Sequence, residues 1–378
     1  MEINQPSHTS AQSFEGERFS MSSKSLYTLP CIPGISWLRA SLSVAVVAWH
    51  MNSFGKSLIF DNKEYLRHVF ALSDLINFQV LLLAVPTFFL ISCYLYARKN
   101  PSLHYYTKRI SRLAILAVFW TLAAWIWVVL VIGYHRLPSL PPPSLQSFTI
   151  IVLSAGYTPY YFFVSLIILT TITHIFSKLS TILNIIMFIS TCLLIFILPK
   201  ITMNYTLYTL SVFWNPLNFI PYPFAAILLA REDLLSVKQN PNLWIITVLL
   251  VISILLSFYE WRFYIHEIFF RGGQSAAIPA YTRLSVVCSS IMLFFIALTS
   301  RIKTNRIIDF MSRQSLSLYC LHVFIFFIVF PNFFSTLAVL SLPAFLIEIF
   351  KIVIILFVCY ITSYLLKMVL NKFSRVTG

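Results

Sequence analysis

Long apolar stretches alternate with short polar segments along most of this 378-residue chain. A helix needs about 20 residues to cross the hydrocarbon core of a bilayer. Several stretches approach that length, so the pattern predicts an all-α fold, a polytopic integral membrane bundle of about ten transmembrane helices. The predicted spans are residues 35–54, 75–97, 112–133, 159–177, 180–198, 213–230, 241–258, 279–300, 314–333 and 343–369.

The positions of Lys and Arg predict the orientation of this bundle. With the N-terminus inside, 17 of the 27 basic residues fall in inner segments, seven in outer loops and three within spans, when Arg112 and Lys367 at the inner ends of their spans are counted as inner. Cytoplasmic segments of membrane proteins carry such an excess. We therefore expect both termini in the cytoplasm, with a polar tail at 1–34, a transmembrane domain at 35–370 and a second tail at 371–378. Residues 1–30 lack an apolar core, so we expect no cleavable signal peptide.

Composition supports a membrane protein and argues against a soluble one. Hydrophobic residues make up 59% of the chain and charged residues 10%, whereas soluble domains average roughly a quarter charged. The net charge of +15 comes from cations in short loops between apolar stretches, which is typical of topology determinants. We therefore expect membrane lipids as partners and no nucleic acid.

The sequence shows no pattern typical of a metal or cofactor site. Its six cysteines include no Cys-x-x-Cys pair, and it has no His-x-x-x-His pair, no carboxylate cluster and no Gly-rich phosphate loop. We expect reduced cysteines that serve as packing residues. We also expect no metal and no permanently bound cofactor.

Two ionisable residues stand 11 positions apart in the first predicted span, Arg39 and His50. On a helix this spacing is about three turns, or ~16 Å of rise, and it places both side chains on nearly the same face. Ionisable residues inside a membrane are costly and are often functional. The alternative is a snorkelling Arg39 and a buried, hydrogen-bonded His50.

Two further groups of polar residues accompany predicted spans. Arg109 and Arg112 are three residues apart at the start of the third span, where they could hold phosphate oxygens together with Arg39. Tyr319 and His322 share a helical stripe with Ser315 in the ninth span. The alternatives are ordinary basic residues of a cytoplasmic loop for the first group and hydrogen bonds between helices for the second.

At these positions the chain resembles the membrane acyltransferase-3 family, which includes O-acetyltransferases of bacterial surface polysaccharides. The resemblance rests on four motifs that occur in the order of the family. They are Ile35-Ser36-Trp37-Leu38-Arg39 with His50 eleven residues later, Phe88-Phe89-Leu90-Ile91-Ser92-Cys93, Arg109-Ile110-Ser111-Arg112, and Ser315-Leu316-Ser317-Leu318-Tyr319-Cys320-Leu321-His322.

The chain departs from the pattern of the family at several points. Ser36 replaces the acidic residue of the first motif, and Cys93 replaces the glycine after Ser92. The proline expected soon after Arg112 is absent, and we expect no appended SGNH-type hydrolase domain. These departures concern the group that orients His50 and the local geometry around the arginines.

The resemblance implies an enzyme, a membrane-embedded acyltransferase and specifically an O-acetyltransferase. A cytoplasmic acyl-CoA, with acetyl-CoA as the expected donor, would transfer its acyl group to a hydroxyl of a surface glycan or lipid-linked sugar. Arg39, Arg109 and Arg112 would bind the phosphates of the donor. The location implied is the bacterial inner (plasma) membrane, with multiple spans.

The resemblance also implies roles for three residues in the chemistry. His50 would act as the general base that deprotonates the acceptor hydroxyl, because imidazole can accept a proton near neutral pH. His322 is the competing candidate for that role. Tyr319 and His322 would otherwise line the path or hydrogen-bond the intermediate.

Acceptor recognition is expected at the outer segment 260–273, which mixes aromatic and charged residues. Trp261 and Glu267 are its candidate acceptor-binding residues, because aromatic rings beside carboxylates suit a sugar. The alternative is an ordinary interfacial helix whose aromatic residues anchor it in the membrane.

Two other classes of protein fit parts of this sequence. A transporter or flippase for a polar lipid or sugar would explain the spans and the buried charges, but not the Arg39–His50 spacing together with the Arg-x-x-Arg motif. A non-enzymatic sensor or immunity factor on the same scaffold would tolerate loss of His50.

Overall fold

A computed structural model describes the parts of the chain from which the helices are built. The described residues are 32–51, 72–132, 144–202, 210, 212–231, 243–270, 280–300, 302–325 and 344–376. Within these ranges the secondary structure is helical, with no strand, so the all-α prediction is confirmed there.

The main helices are numbered in chain order. They are α1 Pro33–His50, α2 Ala84–Ala97, α3 Leu103–Trp127, α4 Leu145–Leu153, α5 Tyr161–Phe176, α6 Thr181–Thr202, α7 Pro221–Arg231, α8 Leu243–Phe270, α9 Leu284–Thr299, α10 Arg306–Val323 and α11 Ala344–Val376.

Helix is present at each of the ten predicted positions, but fewer than ten helices are long and apolar enough to form a complete membrane span. In the described residues, five are long and apolar enough to cross a membrane, and α5 and α9 are shorter apolar helices. The five are Ile76–Ala97, Leu103–Leu130, Thr181–Leu198, Trp244–Trp261 and Leu346–Leu366. The number of ten spans and the cytoplasmic location of both termini stay predictions.

Apolar side chains on the outside of the bundle show that it is built for a lipid environment. On α3 the exposed residues Ile115, Phe119, Leu122 and Ile126 recur at the spacing of one helical face. Soluble proteins rarely expose contiguous apolar patches of this kind. This face is therefore suited to lipid tails.

A change of helix type precedes α2. Ile76–Val80 is a π-helical turn and Leu81–Leu83 a 3-10 turn, and the chain then continues directly into α2. Pro86 follows closely, and its ring would clash with the carbonyl of Leu82 in a regular α-helix. The altered turns resolve this conflict, and the π-helical turn places Gln79 in the interior.

The prolines of the sixth predicted span also interrupt its helix. Pro216–Phe219 is a 3-10 turn, and α7 begins after it at Pro221. Proline fixes its own φ and donates no backbone hydrogen bond, so it suits the first turn of a helix better than its interior. The 11 residues of α7 are too few to cross a bilayer alone.

A buried polar network joins α8, α9 and the π-helical turn. Glu260 of α8 accepts hydrogen bonds from the backbone nitrogen of Ser285 (3.0 Å) and from its hydroxyl, and it thereby caps the start of α9. Arg283 donates to Gln79 (3.1 Å) and to the carbonyl of Phe78. These bonds satisfy groups that would be costly to bury alone.

Helices α1 and α10 form the centre of the functional region. Arg39 of α1 contacts Ser315 in the middle of α10, and His50 at the end of α1 lies beside His322 near the end of α10. The two helices therefore run in the same direction side by side. This arrangement brings two motifs that are more than 270 residues apart into a single site.

Candidate active site

A cavity of about 410 Å³ lies between α1, α2, α3, α5 and α10. Its volume is in the usual range for small-molecule sites. One part of its wall is basic, with Arg39, Lys108, Arg109 and Arg112. The remaining wall is mostly apolar and aromatic, with Phe88, Ile91, Leu95, Leu113, Leu116, Phe162, Leu166 and Leu316, joined by Ser92, Tyr105, Ser315 and Tyr319.

Helix α3 positions the basic residues because it begins earlier than its apolar stretch. Ser102 caps its first turn by accepting a hydrogen bond from the backbone nitrogen of Tyr105 (3.3 Å). Lys108, Arg109 and Arg112 therefore lie on a regular helix and not on a loop. The predicted start at residue 112 is wrong by nine residues, since the polar first turns carry no hydropathy signal.

Arg109 is held in place from two sides. Its Nη2 donates a 2.6 Å hydrogen bond to the hydroxyl of Ser92, and its guanidinium lies 5.1 Å from the centre of the Tyr96 ring. The hydroxyl of Tyr96 lies 2.9 Å from Nδ1 of His174. Both direct contacts are with uncharged groups, so they orient the guanidinium without neutralising it.

Arg39 reaches the same cavity from α1. Its Nη2 donates a 2.8 Å hydrogen bond to the hydroxyl of Ser315, and its backbone carbonyl accepts a bond of equal length from Ser43. The cavity thus brings together the three arginines predicted from the sequence. Lys108 and Ser92 were not predicted as site residues, although both lie within or beside the quoted motifs.

The electrostatic character of the cavity follows from its lining. Four cationic side chains contribute to it, and none of its described lining residues is Asp or Glu. Guanidinium and ammonium groups bind phosphate oxygens strongly, and arginine does so in a bidentate way. The cavity therefore suits an anionic ligand that also has an apolar portion.

A small recess extends the cavity toward the ends of α1 and α10. It measures about 10 Å³ and is lined by Ser43, Val46, Phe88, Ser315, Leu318, Tyr319 and His322. Phe88, Ser315 and Tyr319 line both spaces. The basic cavity and the recess are therefore adjacent spaces that share three lining residues.

The two predicted histidines lie side by side at the ends of α1 and α10. The ring centres of His50 and His322 are 5.3 Å apart, and the ring of Trp49 lies 4.9 Å from that of His50. Nδ1 of His322 lies 2.8 Å from the carbonyl oxygen of Leu318. Of the two histidines, His322 is the one that lines the recess.

Tyr319 separates the cavity from the turn before α5. Its hydroxyl donates a 2.5 Å hydrogen bond to the carbonyl of Pro159, and its ring packs 4.8 Å from that of Phe162. Tyr160 of the same turn donates to the carbonyl of Cys320 (3.1 Å). Tyr319 therefore contributes both a wall of the site and a link between α10 and α5.

Trp261, one of the two predicted acceptor residues, does not line this cavity. Trp261 is buried on α8, where the guanidinium of Arg283 is 5.7 Å from its ring centre. The side chain of Glu267 lies outside the described residues. Acceptor binding by this pair stays a prediction, and burial of Trp261 means that its ring would have to be uncovered to meet a sugar.

The five cysteines within the described ranges are free thiols. Those ranges contain no group of three His, Cys, Asp or Glu side chains that could hold a metal ion.

The fold and the cavity together define a class of protein, an integral membrane helical bundle with a basic internal cavity beside a histidine pair. Comparison with protein families shows to which family the chain belongs. The family profile Acyl_transf_3, described as an acyltransferase domain, matches residues 32–368. The chain therefore belongs to the acyltransferase-3 family, as its motifs predicted. No curated protein and no solved structure compared with the chain matches it.

Proposed function

We propose that this protein is an O-acetyltransferase that moves an acetyl group from acetyl-CoA to a hydroxyl of a surface glycan or lipid-linked sugar. We further propose that it works in the bacterial inner membrane, with the donor entering from the cytoplasm. Membership of the acyltransferase-3 family supports the acyltransferase class. The proposal adds the donor, the acceptor class and the location.

The observation that carries the proposal is the composition of the cavity wall. A CoA thioester combines phosphates with a long, weakly polar arm that ends in the reactive acyl group. The cavity offers four cations at one part of its wall and apolar side chains over the rest. In this proposal Arg39, Arg109 and Arg112 bind the phosphates, and the arm extends past Phe88 toward the recess.

The histidine pair supplies the chemistry in this proposal. The acceptor oxygen attacks the thioester carbonyl, its proton passes to an imidazole, and the carbon–sulfur bond breaks. The imidazole then returns the proton to the departing thiolate, so CoA leaves as the thiol. General-base catalysis of this kind contributes roughly a hundredfold to ten-thousandfold in rate.

Radiolabelled acetyl-CoA supplied to membrane vesicles from the native host would test the proposal. Vesicles that contain the protein should release CoA thiol and incorporate label into the glycan or lipid-linked sugar fraction. Vesicles that lack it should do neither. Vesicles that move a labelled lipid or sugar across the bilayer without release of CoA would favour the transporter instead.

A further inference from the structure

The hydrogen bond between His322 and Leu318 fixes the tautomer of a neutral imidazole. Nδ1 lies 2.8 Å from the carbonyl oxygen of Leu318, and a carbonyl can only accept. Nδ1 must therefore carry the hydrogen. In neutral imidazole one nitrogen is a donor and the other an acceptor, so Nε2 of His322 presents its lone pair.

The surroundings of Nε2 are unusual for a buried acceptor. The side chain of His322 is almost fully buried, and within the described part of the chain Nε2 has no hydrogen-bond partner. Buried polar atoms are nearly always hydrogen-bonded, and each exception calls for an explanation. His322 also lines the recess that shares Phe88, Ser315 and Tyr319 with the basic cavity.

We infer that Nε2 of His322 is the atom that accepts the proton of the acceptor hydroxyl, and that the Leu318 carbonyl is the positioning group that holds this tautomer. The inference rests on the proposed function and deepens it. The family motifs predicted His50 for this role, whereas His322 is the histidine that lines the recess.

The proton balance of the step is complete within this arrangement. The acceptor O–H bond breaks as its oxygen attacks the thioester carbonyl carbon, and the proton binds to Nε2. The resulting imidazolium keeps its Nδ1–H bond to Leu318, which disperses part of the positive charge onto the carbonyl. As the carbon–sulfur bond breaks, Nε2 returns the proton to the thiolate.

The substitution His322→Asn introduces a side chain that lacks the proton-accepting nitrogen but keeps a donor for the hydrogen bond to Leu318. Its amide nitrogen takes roughly the place of Nδ1 and can still donate to Leu318, but it has no atom at the place of Nε2. We expect His322→Asn to insert and fold, to keep the KM for acetyl-CoA, and to lose about a hundredfold or more in kcat. The assay is incorporation of label from radiolabelled acetyl-CoA in native-host membrane vesicles.

His104 offers a control. It is an exposed histidine on α3 that does not line the cavity. We expect His104→Asn to keep transfer within a few-fold of wild type. This control separates loss of the base from a general effect of replacing histidine by asparagine.

Chemical rescue distinguishes a missing base from a structural defect. His322→Gly and His50→Gly are assayed with and without added imidazole, with wild-type protein as the control for nonspecific effects. We expect added imidazole to raise the transfer rate of the His322→Gly protein at least tenfold. We expect it to leave the transfer rate of the His50→Gly protein unchanged.

Two results would overturn the assignment. The first is a folded His322→Asn protein that transfers at a rate within tenfold of wild type, and the second is rescue of His50→Gly. Wild-type vesicles that release no CoA thiol would contradict the proposed function itself, before either variant is compared.

Discussion

Arg109 donates a 2.6 Å hydrogen bond to the hydroxyl of Ser92, and this contact joins the second and third family motifs. A neutral hydroxyl orients a guanidinium but leaves its positive charge in place. The side chain of Arg109 borders a cavity whose wall also contains Arg112 and Lys108. The contact is therefore suited to prepare the side chain for an anion.

Removing either cavity arginine of α3 should weaken donor binding first. A hydrogen bond to a charged group contributes about 1.5–3 kcal/mol. We therefore expect Arg109→Ala or Arg112→Ala to raise the KM for acetyl-CoA by about tenfold to a hundredfold, with a smaller change in kcat. Steady-state kinetics on the purified variants measures both constants.

Arg313 provides the matched control for these two variants. It is an exposed arginine on α10 whose Nε donates to the carbonyl of Asp309 (3.2 Å), and it does not line the cavity. Arg313→Ala should leave the KM unchanged. Equal effects of all three substitutions would indicate general surface electrostatics and not a phosphate site.

Both termini should be found in the cytoplasm, because 17 basic residues lie in the predicted inner segments and seven in the outer loops. Reporter fusions after residue 378 and before residue 1 measure this directly. A terminus detected on the outer side would reverse the predicted direction of donor entry.

Replacement of Gly34 by alanine should disrupt the packing of α1 on α9. A Cβ at this position would lie 1.8 Å from the backbone carbonyl oxygen of Ala297, so one helix would have to move. Overpacking of this kind costs on the order of 1–3 kcal/mol or more. We expect Gly34→Ala to lower the melting temperature in detergent.

Ser41→Ala is the control for Gly34→Ala. Ser41 is exposed on the same helix, and alanine is the better helix former at such a position. It should therefore leave the melting temperature unchanged or raise it slightly. A Gly34→Ala protein as stable as this control would show that α1 and α9 are not in such close contact.

An exchange of residues 262–273 for those of a family member with a different acceptor should change acceptor choice. The exchange should begin after Trp261, because Glu260 caps α9 and Trp261 packs on Arg283. Label incorporation with each of the two acceptors measures the choice.

The control for that exchange is a chimera that also replaces Glu260 and Trp261. It should lose stability through the missing cap and the buried network. Unchanged acceptor choice in a folded chimera that retains both residues would leave only a membrane-anchoring role for this segment.

The sequence predicted the positions of the helices well because apolar stretches of membrane length have few other structures available to them. Hydropathy reports which residues tolerate lipid, however, and not where a helix begins. The start of α3 at Leu103 was therefore missed, and so was the short helix α4.

The candidate site was predicted only in part, for a similar reason. Arg39, Arg109 and Arg112 were chosen from motifs and charge, and the structure brings them to one cavity. The contact between His50 and His322 depends on how α1 and α10 pack, which a single sequence does not encode in any local pattern. The same holds for Nδ1 of His322 and its carbonyl partner.

The cavity draws its walls from α1 near the start of the chain and from α10 near its end. During synthesis the ribosome therefore delivers Arg39 long before Ser315 and His322 exist. The bundle cannot offer a finished cavity until α10 has entered the membrane. An incomplete chain released earlier would carry the arginines but neither the recess nor His322. Premature termination before α10 should therefore yield a protein that cannot consume acetyl-CoA.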